Sequence, residues 1–529
     1  MSVSTRPNFL YLITDQHRAD WLGCYGHPLV KTPNIDRIAS MGTRYENFHV
    51  ASPVCMPNRA SLLTGRHPST HGLRYNGCVL SHRANTFVDL LRANGYLTAS
   101  IGKSHLQPFT DYEPTIHDTP PADDPLAEAW KPDSANYSQE EPGRYEADGR
   151  YVFQTPYYGY DHVDMVTGHG DRAGGHYRQW FREAAPEWQA LADPTNELPH
   201  NYSCPQAYRT PIPEDLYPTF YIRDRAQDFL SARAGSDAPF FAFVSFPDPH
   251  HPFNPPGRYW DLYDPADFTP EVRYDDHAFP PPPLTHARAM FESGKTPAHQ
   301  QVSFMADTRS LQEAMALSAG MITMVDDAIG AILQTLEKTG QLENTVIVFN
   351  SDHGDYLGDS DLLLKGAWQR DSISRVPFIW SDPLDRRARV SQAMGSTIDI
   401  APTILARAGL QPFNGMQGIA LAECLQAETE TTPSTVPRDR LLIEFNDSGL
   451  RMGFESPARV RTLIHDGWRI SVYRDQEWGE LYDRRNDPLE LSNLWDDPQH
   501  ASERARMTEA LAHSLIGQMD ESPRSRRRA

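Results

Sequence analysis

The chain has 529 residues, 39% hydrophobic and 22% charged, enough for one large core with a smaller companion domain. Its formal net charge of −21 argues against nucleic acid and anionic membranes as partners. An anionic substrate would need locally concentrated positive charge against that repulsive field.

The first apolar run, Phe9-Leu10-Tyr11-Leu12-Ile13, is too short for a signal-peptide core and lacks a small-residue cleavage pattern. It reads as a buried strand over 8–13, and a cytoplasmic protein is the expectation. No continuous apolar run reaches about 18 residues, so no membrane-spanning helix is expected. Next come a helix over 34–41, a strand over 43–49, helices over 58–65 and 86–94, and a strand over 97–101. A strand at 239–246, a helix at about 310–338 and a strand at 345–350 follow, then shorter elements near 376–380 and 398–409. Strands alternating with helices predict an α/β fold, a large mainly parallel sheet sandwiched by helices. In such sheets ligands bind beyond the carboxyl ends of the strands. Two stretches, 106–218 and 252–309, are rich in Pro, Tyr, Asp, Glu and Gly and read as irregular insertions bordering the site. From about 440, the short runs Leu441-Leu442-Ile443, Val460–Ile464 and Trp468–Tyr473 predict a smaller antiparallel sheet, closed by a helix near 500–517. Residues 1–435 thus read as a catalytic domain and 436–529 as a smaller α+β domain, whose basic tail Arg524–Ala529 reads as a solvated end. Five scattered cysteines give no disulfide framework and no zinc signature.

Several segments put chemistry where strands should end. Asp15-Gln16 follows the first strand, and Ser351-Asp352-His353-Gly354-Asp355 follows Val346–Phe349. Each sets a carboxylate beside a neutral donor, and two such ends meeting at one crevice could hold a divalent cation. Alone, an Asp after a strand is more often a turn or a helix cap. In Cys55-Met56-Pro57-Asn58-Arg59, Pro57 favours a first helical turn, which puts Cys55 at a helix N-terminus where backbone N–H groups favour an anion. Arg59 returns to the same face one turn later, although a free cysteine is usually a buried structural residue. Gly102-Lys103-Ser104-His105, Pro249-His250-His251-Pro252 and Lys365 add cations and acid–base groups.

Cys55-x-Pro57-x-Arg59 followed by Leu63-Thr64-Gly65-Arg66 resembles the signature of the type I, formylglycine-dependent sulfatases of the alkaline phosphatase superfamily, near the arylsulfatase and phosphonate monoester hydrolase branch. The Asp15 strand before it, and the Gly-Lys-x-His and Asp-His-Gly segments after it, follow that family's order. The resemblance extends to Thr32–Arg37 and to Glu480-Leu481-Tyr482-Asp483 with Asp487-Pro488, leaving only the two insertions outside. It implies an alkaline phosphatase-like fold and hydrolysis of small aryl or alkyl sulfate monoesters. It also implies a formylglycine-generating enzyme as transient partner, one divalent metal ion and formylglycine at residue 55. One hydroxyl of the hydrated aldehyde would attack sulfur, and loss of the second hydroxyl's proton would expel sulfate.

Position by position, Asp15, Asp352 and His353 resemble the family's metal ligands, with Gln16 a fourth and residue 55 completing the shell. Arg59 would orient the hydrate, and Lys103 and Lys365 would bind sulfate oxygens. His105 resembles the base that triggers sulfate release, and His250 the acid that protonates the leaving alcohol. His250 is preferred to His251 because the family's pattern reads His-x-Pro. Many sulfatases show Asp-Asp and Asp-Asn where this chain has Asp15-Gln16 and Asp352-His353, which leaves calcium and manganese level, with magnesium third. A phosphonate monoester or phosphodiester hydrolase is the close alternative; it shares those pairs but carries hydroxyl side chains in place of Lys103 and His105. A non-catalytic binding member, with Cys55 left a thiol, is a remote one. A zinc hydrolase lacks support, because no His-x-x-x-His helix or equivalent pair appears near a third ligand. The size is compatible with a homo-oligomer.

Overall fold

The computed structural model describes residues 6–112, 129–131, 133–147, 149–299, 301–425 and 438–527. Its strands are β1 (Asn8–Thr14), β2 (Thr43–His49), β3 (Leu97–Gly102), β4 (His162–Thr167), β5 (Gly174–Gly175), β6 (Phe240–Ser245), β7 (Phe304–Met305), β8 (Thr345–Ser351), β9 (Leu362–Leu363), β10 (Phe378–Ser381), β11 (Arg389–Ser396), β12 (Arg440–Asn446), β13 (Arg459–His465), β14 (Trp468–Tyr473) and β15 (Gly479–Asp483). Nine of them form one sheet in the order β11-β2-β10-β8-β1-β6-β3-β4-β5. The central run β8-β1-β6-β3 is parallel throughout, and β10 is an antiparallel member.

Side chains of β1 alternate between two cores, which is why its sequence is apolar from Phe9 to Ile13. Leu10 and Leu12 enter the core formed with α1 (Pro33–Ser40), α4 (His176–Ala184), α5 (Pro218–Ser231) and α6 (Thr308–Lys338). Phe9, Tyr11 and Ile13 enter the opposite core, formed with α2 (Cys55–Thr64), α3 (Phe87–Ala93) and α7 (Ile400–Arg407). The expected helix-covered, mainly parallel sheet is therefore present. So is the smaller antiparallel sheet, β12-β13-β14-β15, whose Leu442, Leu463, Ile470 and Leu481 pack on Met507 and Leu511 of α8 (Ala501–Gly517). The expected domain boundary at 435–436, residues 113–128 of the first insertion and the last two residues of the basic tail lie outside the described residues.

Two expectations need correction. The stretches 106–218 and 252–309 are not wholly irregular: the first supplies β4 and β5 to the main sheet and α4 to its cover, and the second holds an 11-residue helix, Pro282–Glu292. Asp164 makes β4 read as a loop, yet it is buried there because His162 at 2.6 Å and Arg150 pair with it. In addition, α6 is long and apolar enough to cross a membrane, although no unbroken apolar run was found. Ser318, Gly320 and Thr323 interrupt its apolar residues without lowering their average much, and the helix is mostly buried against the sheet.

Candidate active site

The parallel run places the ends of four neighbouring strands on one edge. Asp15 follows β1, Lys103 follows β3, His250 lies just past β6, and Asp352 and His353 follow β8. Backbone bonds knit these ends together: Asp352 N–H donates to Thr14 O at 3.1 Å, Lys103 N–H to Ser245 O at 3.0 Å, and Asp15 N–H to Asp248 O at 3.3 Å. Close approach explains two motif glycines. A Cβ on Gly102, whose φ is +104°, would lie 1.9 Å from Ser245 O, and one on Gly354 would lie 1.9 Å from Ser372 O. Gln16 and His105, at φ 63° and 60°, occupy the left-handed region, the kind of backbone strain that gathers at functional sites.

Helix α2 begins at Cys55, as its sequence predicts, and points that residue into the crevice. Ligand atoms of Asp15, Cys55, Asp352 and His353 all lie within 4.8 Å of one another, and all four residues are buried. His353 Nδ1 is engaged by Gly354 O at 2.8 Å, so Nε2 carries the free lone pair. That nitrogen is 3.0 Å from Cys55 Sγ and 3.6 Å from an oxygen of each aspartate. Two buried carboxylates with a converging imidazole fit a divalent cation. Gln16 behaves differently: its Oε1 accepts from Lys365 Nζ at 2.7 Å, and its Nε2 meets Asp355 and, at 3.2 Å, His251 Nδ1. Its amide therefore holds the lysine in this arrangement.

Arg59 lies beneath the crevice. Its Nε donates to Asp352 Oδ2 at 2.8 Å, one terminal nitrogen to Lys103 O at 2.8 Å and Ser245 Oγ at 2.9 Å, and the other to Asp15 Oδ2 at 3.3 Å. Lys103 Nζ also donates to Asp15. Burial pushes the Asp15 carboxyl up, but the Lys103 and Arg59 cations outweigh it and hold the group well below its usual range. Burial and the Asp15 charge raise the Cys55 thiol to about 11, which leaves it a poor nucleophile as a thiol.

Every expected site residue reaches this edge; His105 lies at its margin, beside Phe109, whose ring also faces Lys103 Nζ at 5.6 Å. The His105 N–H donates to Glu140 Oε2 at 2.9 Å, and its ring stacks on Phe109 at 4.0 Å. Its Nδ1 is buried without a partner. Burial and the nearby Lys103 depress its pKa well below the usual imidazole value. Of the paired histidines, His250 Nε2 lies 3.3 Å from Lys365 Nζ, while His251 Nε2 meets Gln301 Oε1 at 2.7 Å. His250 thus faces the lysine, and His251 turns toward the second insertion.

Three contributors were not singled out from sequence. His169 lies 2.6 Å from Lys103 Nζ, Asp355 holds Gln16, and Asn58 Nδ2 donates to Asp352 O at 2.6 Å. For His169 the only sequence signal is the triplet Gly168-His169-Gly170 inside a stretch read as irregular.

A family profile described as Sulfatase matches residues 7–410, and one described as N-sulphoglucosamine sulphohydrolase, C-terminal, matches residues 365–516. The chain is 31% identical to an uncharacterized sulfatase of Escherichia coli over 96% of its own length and 86% of that protein's. It is 28% identical to an arylsulfatase of Clostridium perfringens, covering 97% of this chain and 95% of that one. The crystal structure of a phosphonate monoester hydrolase of Agrobacterium radiobacter superposes with a TM-score of 0.74 at 25% identity, covering 98% of this chain and 97% of the other.

Proposed function

The chain belongs to the sulfatase family and is a sulfuric ester hydrolase, and from that premise we propose hydrolysis of small aryl or alkyl sulfate monoesters through formylglycine at residue 55. The observation that carries this reading is the convergence on residue 55 of Asp15, Asp352 and His353, ringed by Arg59, Lys103, Lys365 and His250. A divalent ion held by Asp15, Asp352, His353 and residue 55 supplies Lewis acidity, and the aldehyde hydrate supplies the attacking hydroxyl and the means of release.

The protein's own side chains do the rest. Arg59, bonded to both aspartates, keeps the two carboxylates in place under residue 55. Lys103 and Lys365 bring the local positive charge that a protein of net charge −21 must concentrate to hold sulfate oxygens. His250, with Nδ1 tied to the His251 carbonyl at 2.6 Å, presents Nε2 to protonate the leaving oxygen. His105, neutral and with a free ring nitrogen, takes the proton that accompanies sulfate release. The nitrogen donor His353 beside two carboxylates suits manganese as well as calcium, ahead of magnesium.

A second reading is phosphonate monoester hydrolysis, favoured by the structural likeness to the Agrobacterium enzyme. Lys103 and His105 support the sulfate reading against it. One preparation, with its metal content measured and the residue-55 peptide weighed, should be assayed on matched aryl sulfate and aryl phosphonate monoesters. Faster turnover of the sulfate, with an aldehyde or hydrate mass at residue 55, is expected. A kcat/KM favouring the phosphonate by more than about a hundredfold, ~2.7 kcal/mol, reverses the order of the two readings.

A further inference from the structure

The ring of His250 is held on more than one side. Its Nδ1 is tied to the His251 carbonyl, its Nε2 faces Lys365 Nζ at 3.3 Å, and the His251 ring packs at 4.1 Å. The closest contact comes from elsewhere in the chain. His169 lies parallel to His250, with ring centroids 3.5 Å apart and planes 7° from coplanar. The far edge of His169 reaches Lys103: Nε2 is 2.6 Å from the ammonium, which donates to it. His169 is thus neutral with its lone pair on Nε2. The result is a continuous row, Lys103 to His169 to His250 to Lys365, with a lysine at each end.

His169 belongs to no catalytic motif; it lies just past the end of β4, between two glycines with φ of +69° and +55°. A Cβ on Gly170 would lie 2.6 Å from Asn254 Oδ1, so the turn that delivers His169 is seated on the loop that follows His250. Asn254 in turn donates to Asp171 at 2.7 Å and accepts from Tyr217 at 3.0 Å. The His169 turn and the His250 loop are therefore braced against each other by buried polar contacts.

We propose that His169 is a positioning residue for the leaving-group step: its ring face sets the plane of His250, and its Nε2 holds Lys103 at the sulfate oxygens. The inference rests on His250 being the leaving-group acid, as read above. The Nδ1 bond fixes one edge of the His250 ring, and the flat His169 ring in van der Waals contact with its face limits the tilt that remains. In the step itself the Nε2 proton of His250 moves to the leaving oxygen as the S–O bond breaks, and His169 exchanges no proton.

The test is kcat/KM for a series of aryl sulfates with progressively less acidic phenols, measured on wild type, His250→Ala, His169→Phe and His169→Asn. Wild-type turnover of the series checks the proposed function, and a preference for phosphonate esters moves the same series to that form. A steeper dependence on phenol acidity in His250→Ala checks the acid assignment. His169→Asn keeps a polar acceptor but loses the ring, so the poorest leaving groups should fall by about tenfold or more while nitrophenyl sulfate falls far less. His169→Phe keeps the face and loses the lone pair, so it should retain the wild-type dependence while KM rises for every substrate. An equal loss across the series in His169→Asn, or a steepened dependence in His169→Phe, overturns the proposal. If His169→Asn melts early, His169→Phe decides alone.

Discussion

At the scale of single residues, Arg59 shows most clearly what the site asks of a side chain. Its three guanidinium nitrogens serve two buried carboxylates, one carbonyl and one hydroxyl, a fork that the single ammonium of lysine cannot reproduce. Arg59→Lys keeps the charge but leaves buried acceptors uncovered. It should lower kcat/KM for an aryl sulfate by about a hundredfold or more, ~2.7 kcal/mol. Activity within about threefold of wild type would show that charge alone is required of residue 59. The same residue marks how far sequence could reach. Asp15 and Asp352 were legible because each follows an apolar run whose end could be located, and Cys55-x-Pro57-x-Arg59 because its spacing is itself a signature with Pro57 opening a helix. His169 was not, since nothing in its neighbourhood has a period, and stacking partners far apart in sequence leave no local trace.

At the scale of elements, what was legible follows burial pattern. Strands β1 and β8 are buried on both faces and read as apolar runs, whereas β4 tolerates Asp164 only through its contacts with Arg150 and His162. The helix α6 gives a case in which local propensity and packing predict opposite signs. In an isolated helix, replacing Gly320 by Ala should stabilise by ~1 kcal/mol. Here the new Cβ would lie 2.3 Å from the carbonyl oxygen of Tyr259, a backbone atom that cannot swing aside. Gly320→Ala should therefore destabilise, by about 1–3 kcal/mol as overpacking usually does, and lower the apparent Tm. A raised Tm would mean that the chain near Tyr259 yields easily. The C-terminal sheet also has a task beyond closing its own core. Glu480 of β15 accepts from Trp368 Nε1 at 3.1 Å, and Trp368 lies three residues beyond Lys365. The second sheet thus anchors the segment that carries Lys365.

At the scale of the whole molecule, buried neutral histidines set the response to acid. Burial lowers His49 and His71 to about 3, and His67, His176 and His277 to about 4. In the unfolded chain they take up protons near pH 6.5, so below that value the unfolded state binds more protons and stability falls. Asp171, raised by burial to about 6, and Asp248 and Asp326, raised to about 7, act in the opposite sense but are outnumbered. The apparent Tm should therefore fall from pH 7 to pH 5, before the ordinary carboxylates begin to titrate. A flat or rising Tm over that interval would contradict neutral burial of these rings.

The burial of Cys55 has a consequence for the order of events in the cell. Folded, the residue is only 2% exposed, and His353, which closes the crevice over it, is made 298 residues later. Strand β1 gains its two neighbours only once β6 and β8 have left the ribosome. Throughout that interval the Cys55 segment is open to a modifying enzyme, and afterwards it is shut away. The proposed conversion of residue 55 would therefore be a matter of timing during synthesis. Folded protein made without the modifying enzyme should keep a thiol mass at residue 55 after incubation with that enzyme, whereas chain kept unfolded should be converted.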